Sequence, residues 1–262
     1  MRRLFRCSAG ERSVMAHWKP VDLVQDLVNQ LGGEERIKRI QSGELVFVER
    51  NAQAVVASGD NGGISPYISA PLLNVESFIA DWREFYRLHS MKANPPSLKS
   101  LPPVTTGFYW GVWVLKGVTS QRAYEMASSM FSCWKWCGER SLDEVVDFTK
   151  EARSASARQY FVWCEDSVEP PARLANLSAV QIVERQINTL GLTETLLLHG
   201  WFHWKSGGKH LDVKNVSLCP VSRYSDGLVP SVFWDGSLGG LGVDSCFPGG
   251  TSASLRSRQA VS

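Results

Sequence analysis

Apolar residues recur at three- and four-residue spacing over Val75, Phe78, Ile79, Trp82, Phe85, Tyr86 and His89. That stripe predicts the clearest helix of the chain, with Asn74 as its N-cap. Upstream, Val21, Val24, Leu27, Val28 and Leu31 share one helical face that ends at paired glycines, and residues 34–41 read as a second short helix. The run "ELVFVERNAQAVVAS" holds two β-rich stretches joined near Arg50 and Asn51, a hairpin pattern, and the glycine-rich loop "GDNGGISP" follows. Residues 90–107 carry four prolines and no period, the composition of a linker or an extended surface crossing.

Beyond it, "GFYWGVWVLKG" suits a buried strand, residues 120–130 a helix, "SCWKWC" a short strand and "QYFVWCE" another strand. Ser141 with Glu144 and Ser178 with Gln181 have capping-box spacing, and they predict helices over 141–150 and 179–188. "LTETLLLHGWFHW" continues as a helix to about Trp204, with Leu197, Trp201 and Trp204 inward and Thr195, His199 and His203 on a polar, solvent-facing edge. "NVSLC", "LVPSVFW" and "LGVDSC" read as strands.

Together these elements predict a mixed α+β fold with a helix–hairpin–helix module at the N-terminus, a layered α/β module in the middle and an antiparallel β meander near the C-terminus. The expected divisions are a disordered basic arm over 1–20, an α+β module over 21–90 and a proline-rich linker over 91–107. An α/β and helical module over 108–210, the meander over 211–246 and a polar tail over 247–262 complete them. Met15 is read as an alternative start, because the residues before it are polar, basic and unpatterned.

Composition narrows the class. With 44% apolar and 21% charged residues over 262 positions, the chain reads as a globular protein large enough to bury a core. Ten tryptophans suit either a packed core or a ligand platform. Lys and Arg total 28 against 26 Asp and Glu, so the net charge of +2 does not by itself call for an anionic partner. The opening segment lacks the apolar centre of a signal peptide, and no apolar run is long enough to span a membrane. The six cysteines are therefore expected as reduced, mostly buried thiols of a cytoplasmic protein.

From about residue 21 to its end the sequence resembles a bacterial protein family with no assigned activity. The segments that carry the resemblance are "VESFIADWREFYRLH", "CWKW" with "SLDEVV", "NLSA", and above all "GKHLDVKNVSLCPVSRYSDGLVP" with "LRSRQAVS". The resemblance implies one evolutionary unit and supplies no substrate, cofactor or mechanism.

Candidate chemistry concentrates late in the chain. His199, His203 and His210 approach a zinc-protease pattern, but Gly200 stands where a general-base Glu is needed and the third spacing is one residue too long. Cys133 and Cys137 lack a second close pair, so buried thiols are the expectation and no metal is. "VLKGVTS" has one glycine, placed after its lysine, so it predicts a helix N-cap at Thr119 or Ser120 rather than a phosphate loop. His210 and Asp212 offer a pair in which the carboxylate orients an imidazole.

In "SRYSDG", a three-residue loop with Gly227 left-handed sets Tyr224 opposite Leu228. That register puts Leu218, Pro220, Ser222 and Tyr224 on one face with Leu228, Pro230, Val232 and Trp234, joined by Leu241 and Val243 across a two-residue Asp235–Gly236 turn. Arg223 is left on the opposite face. The expected ligand-binding residues are Arg223, His210 and Asp212, with no catalytic residue, metal or cofactor assigned. The expected function is a non-enzymatic cytoplasmic binding protein for an anionic group, a nucleic acid or an acidic peptide. The alternative is a hydrolase using His210 and Asp212, metal-assisted or not.

Overall fold

The computed structural model describes residues 75–262. The basic arm, the helices expected over 21–31 and 34–41, the hairpin after them, the loop 59–66 and the cap Asn74 lie outside the described residues.

The fold is mixed α+β. In chain order it runs α1 (Val75–Leu88), β1 (Trp110–Val114), α2 (Ser120–Ser128), β2 (Cys133–Lys135), α3 (Leu142–Val145), β3 (Tyr160–Cys164) and α4 (Ala179–Glu184). Then come α5 (Leu192–Lys205), β4 (Val216–Leu218), β5 (Val229–Asp235), β6 (Gly240–Cys246), β7 (Leu255–Arg256) and β8 (Ala260–Val261). Two sheets result: a three-stranded antiparallel sheet β1-β3-β8 and a five-stranded mixed sheet β2-β6-β5-β4-β7. In the larger sheet β4, β5 and β6 form the antiparallel meander, while β2 joins β6 and β7 joins β4 in parallel.

The stripe on α1 is buried as its spacing requires, through Phe78, Ile79, Trp82, Phe85 and Tyr86. Two polar tips are satisfied inside: Trp82 Nε1 donates to the Gly111 carbonyl at 2.8 Å, and Tyr86 Oη donates to the Trp113 carbonyl at 2.5 Å. Trp82 stacks on Trp201 of α5 with ring centroids 5.7 Å apart, and Phe78 closes on the same ring at 4.9 Å. Across the proline-rich crossing 90–107, where the sequence suggested a boundary, α1 therefore shares one core with β1, β3 and α5. Met91, Ala93 and Leu101 of the crossing pack on that core, and Trp163 Nε1 donates to the Pro102 carbonyl at 2.8 Å.

Helix α5 lies at the centre of the described residues. It touches α1, α2, β1 of the smaller sheet and β5 of the larger one. Neighbours on every side remove the polar edge expected for it: Thr195 and His199 are buried together with Leu196, Leu197 and Leu198. Thr195 is satisfied locally, its hydroxyl donating to the Gly191 carbonyl at 2.8 Å.

Caps behave more simply. Thr119 starts α2 by accepting from the Arg122 N–H, and Ser178 with Gln181 forms the complete box that opens α4. The helix expected over 141–150 stops at Val145 instead. Val146 turns away to bridge Tyr224, and Asp147 caps a separate 3-10 turn, Phe148–Lys150. A four-residue helix loses little by this exchange, and it places both apolar side chains in the core.

The meander keeps its face assignment across the second turn but not across the first. Leu241 and Val243 do share the face of Trp234 and Val232, but the turn is a four-residue loop rather than the expected two-residue one, so that Asp235 pairs with Gly240, Trp234 with Leu241 and Val232 with Val243. Tyr224 N–H does reach the Leu228 carbonyl, at 2.9 Å, with Gly227 at a φ of 87°. However, β4 pairs Ser217 with Val232 and Leu218 with Ser231, three residues away from the expected register. The difference is absorbed in a turn where Ser222 N–H bonds the Cys219 carbonyl. Leu218 consequently faces outward, into a small second core with Ala179, Val229 and Leu255. Residues 247–262, expected as a polar tail, instead supply an edge strand to each sheet.

Candidate functional site

The three expected site residues have different partners. Asp212 is fully buried, in a left-handed backbone conformation with φ of 55° that Asp tolerates better than most residues. Its carboxylate accepts from Arg258 Nη2 through Oδ1 and lies 3.0 Å from His199 Nε2 through Oδ2. Arg258 also donates to the carbonyls of Ser167 and Val168, at 2.6 and 2.8 Å. Burial pushes the Asp212 pKa up, but Arg258, the His199 bond and Ser217 outweigh it, so the carboxyl titrates below the usual aspartate range.

His210 is therefore not the imidazole that Asp212 orients. Its ring stacks on Trp234, centroids 3.3 Å apart and tilted by 14°, with Phe131 edge-on at 5.2 Å. Burial above all, with repulsion from the neighbouring His203 and His199 imidazoles, lowers its pKa to about 4, so the ring is neutral at physiological pH. His203 lies nearly face to face with it at 4.6 Å and 31°. Stacked rings send their nitrogen lone pairs along parallel planes rather than toward a common point, and His199 Nε2 is spent on Asp212. Among the described residues, no group of three or more His, Cys, Asp or Glu side chains could hold a metal ion.

Arg223 is half-buried in its own turn, with Nη1 donating to the carbonyls of Pro220 and Ser222. Its backbone carbonyl accepts from Asp147 N–H at 2.8 Å, so the residue fastens the turn to the segment after α3. In the next loop Glu169 accepts from the N–H groups of Val213 and Lys214 and from Asn215 Nδ2.

A different arginine is presented to solvent. Arg140, on the turn after β2, is exposed, and its guanidinium lies over the Trp136 ring at 5.7 Å. Lys135 sits over the Tyr124 ring at 5.6 Å and donates to the carbonyls of Gly138 and Arg140, which fixes the turn. Among the described residues no carboxylate pairs with Arg140. On the outer face of the same sheet, Trp134 meets Phe233 edge-on, with centroids 5.7 Å apart. Gly242 lies between them, and a Cβ there would come within 2.5 Å of the Trp134 ring.

The sequence signal for Arg140 is its place three residues after "CWKWC", where cation and ring alternate. For Arg258 and His199 there is none, because neither spacing nor composition joins residues 199, 212 and 258. No protein-family model matches the chain, and no curated protein or solved structure matches it either.

Proposed function

We propose that the protein is a non-enzymatic binding or interaction protein of the bacterial cytoplasm that recognises an anionic group, the phosphates of a nucleic acid or the carboxylates of an acidic peptide. The observation that carries it is the exposed guanidinium of Arg140, held over Trp136 beside Lys135. A planar fork ordered by stacking loses less freedom on meeting a carboxylate or phosphate than a freely rotating one. The hydrolase alternative draws no support from the site, since Asp212 is engaged by Arg258 and His199 away from solvent.

The test is a fluorescence titration with a single-stranded oligonucleotide and, separately, a polyglutamate peptide, each at about 50 and about 200 mM salt. One of them binds, more weakly at the higher salt, and Arg140→Ala reduces affinity by roughly 10- to 100-fold, the span of a lost charge-assisted contact. Arg140→Lys recovers only part of it, because the charge returns without the fork. Binding of neither probe, or binding untouched by Arg140→Ala, overturns the proposal.

A further inference from the structure

The strip 145–152 runs along the turn 219–225 in a short ladder. Ser225 N–H donates to the Val145 carbonyl at 2.7 Å, Val146 bridges Tyr224, Asp147 N–H donates to Arg223, and Ala152 N–H donates to Val221 at 3.3 Å. At the end of this ladder Glu151 reaches toward the N-terminus of α5. Its Oε2 lies 3.3 Å from where a side chain on residue 191 would begin, and the Ser222 hydroxyl engages the carboxyl. Its Oε1 is buried with no hydrogen-bond partner.

The place a carboxylate would favour is already taken. Glu194 Oε2 accepts from Gly191 N–H at 2.6 Å, where the helix dipole stabilises negative charge. Arg153, the nearby cation, is committed to Glu194 at 2.5 and 2.7 Å and to the Thr189 carbonyl at 2.5 Å. Tyr160 of β3 also bonds Glu194, and the Cys219 thiol on the facing turn is buried and neutral. Glu151 thus meets a second carboxylate across one glycine, a cation already paired, a phenol and a thiol.

We propose that Glu151 is a proton-operated latch: its neutral carboxyl closes the strip 145–152 onto the turn 219–225, and loss of the proton opens it. Ionisation leaves a bare negative oxygen in a buried site beside Glu194, and opening returns it to water. Burial, partly offset by Ser222 and reinforced by Glu194, raises the pKa from 4.5 to about 7, which places the change near neutral pH. A carboxyl raised in this way stabilises the closed form fully below 4.5 and loses that contribution as pH rises to about 7. The turn it releases carries Arg223 and Tyr224, so the latch governs the connection between β4 and β5.

Hydrogen exchange at the amides of Asp147, Ala152 and Ser225, corrected for intrinsic rates, tests this in the full-length protein. Between pH 5 and pH 7.5 protection falls on the order of 10- to 100-fold, each pH unit across the window allowing up to tenfold. Glu151→Gln, which keeps the neutral shape, holds the closed level of protection across the whole range. Wild-type protection that does not vary with pH, or a Glu151→Gln protein that varies as wild type does, overturns the latch. If the variant fails to fold, carbon-detected NMR titration of the wild-type Glu151 carboxyl decides the matter. A midpoint near 7 supports the latch and one near 4.5 overturns it.

Discussion

Asp212 is held by one residue from the middle of a helix and one from the last few positions of the chain, and neither contact reaches solvent. Removing one member of such a group leaves a buried charge without compensation, which costs more than the group contributes as a whole. Arg258→Ala is accordingly expected to lower unfolding free energy by about 3–5 kcal/mol in urea denaturation. The surface change Arg256→Ala should stay within about 0.5 kcal/mol, since that side chain is only half-buried and bonds backbone carbonyls. Gly242→Ala is a second test at this scale. A methyl group would run into Trp134, and overpacking of this kind costs about 1–3 kcal/mol, to be read from the same denaturation curves.

The most consequential elements are the smallest. β7 and β8 have two residues each, yet they extend different sheets, and Arg258 between them carries the side chain that meets Asp212. A chain ending at Ser254 should therefore lose more stability than Arg258→Ala alone, because it also uncovers Val216 and Trp163 along two sheet edges. Differential scanning calorimetry of the two variants checks this order. Helix patterning was legible wherever burial is one-sided: the stripe of α1 reads directly from its spacing. It misled at α5, where packing on all sides buries Thr195 and His199 as well as the leucines. The three-residue difference at β4 has a related cause. Hairpin chemistry near Gly227 fixes the local turn, while the position of β4 is set by the turn at Cys219–Ser222 and by Leu218 entering the second core.

At the scale of the whole molecule, stability depends on pH through groups that pull in opposite directions. Glu151 has its pKa raised to about 7, so its contribution declines as pH rises from 4.5. His210 has its pKa lowered to about 4, so its contribution is lost as pH falls from 6.5. The two slopes oppose each other between about 4.5 and 6.5, and stability should be nearly flat there. Glu151→Gln is expected to tilt the profile so that stability rises with pH in that window, as measured by urea midpoints at several pH values. Below 3.8 the lowered pKa of Asp212 adds a loss of stability that grows as the acid protonates it.

Five of the ten tryptophans, Trp82, Trp110, Trp113, Trp163 and Trp201, belong to the core, while Trp136 holds up the exposed Arg140. The sequence by itself determined the mixed class, the buried stripe of α1, the caps at Thr119 and Ser178 and the shared apolar face of β5 and β6. Each of these depends on neighbours a few residues away. Only the tertiary structure decided that Asp212 belongs to His199 and Arg258 rather than to His210, that Arg223 bonds back onto its own turn, and that Glu151 meets Glu194. Those pairings join residues 13 to 46 positions apart in the case of Asp212, and no local period records them. They arise because burial forces each polar group to find whatever partner packing brings within reach.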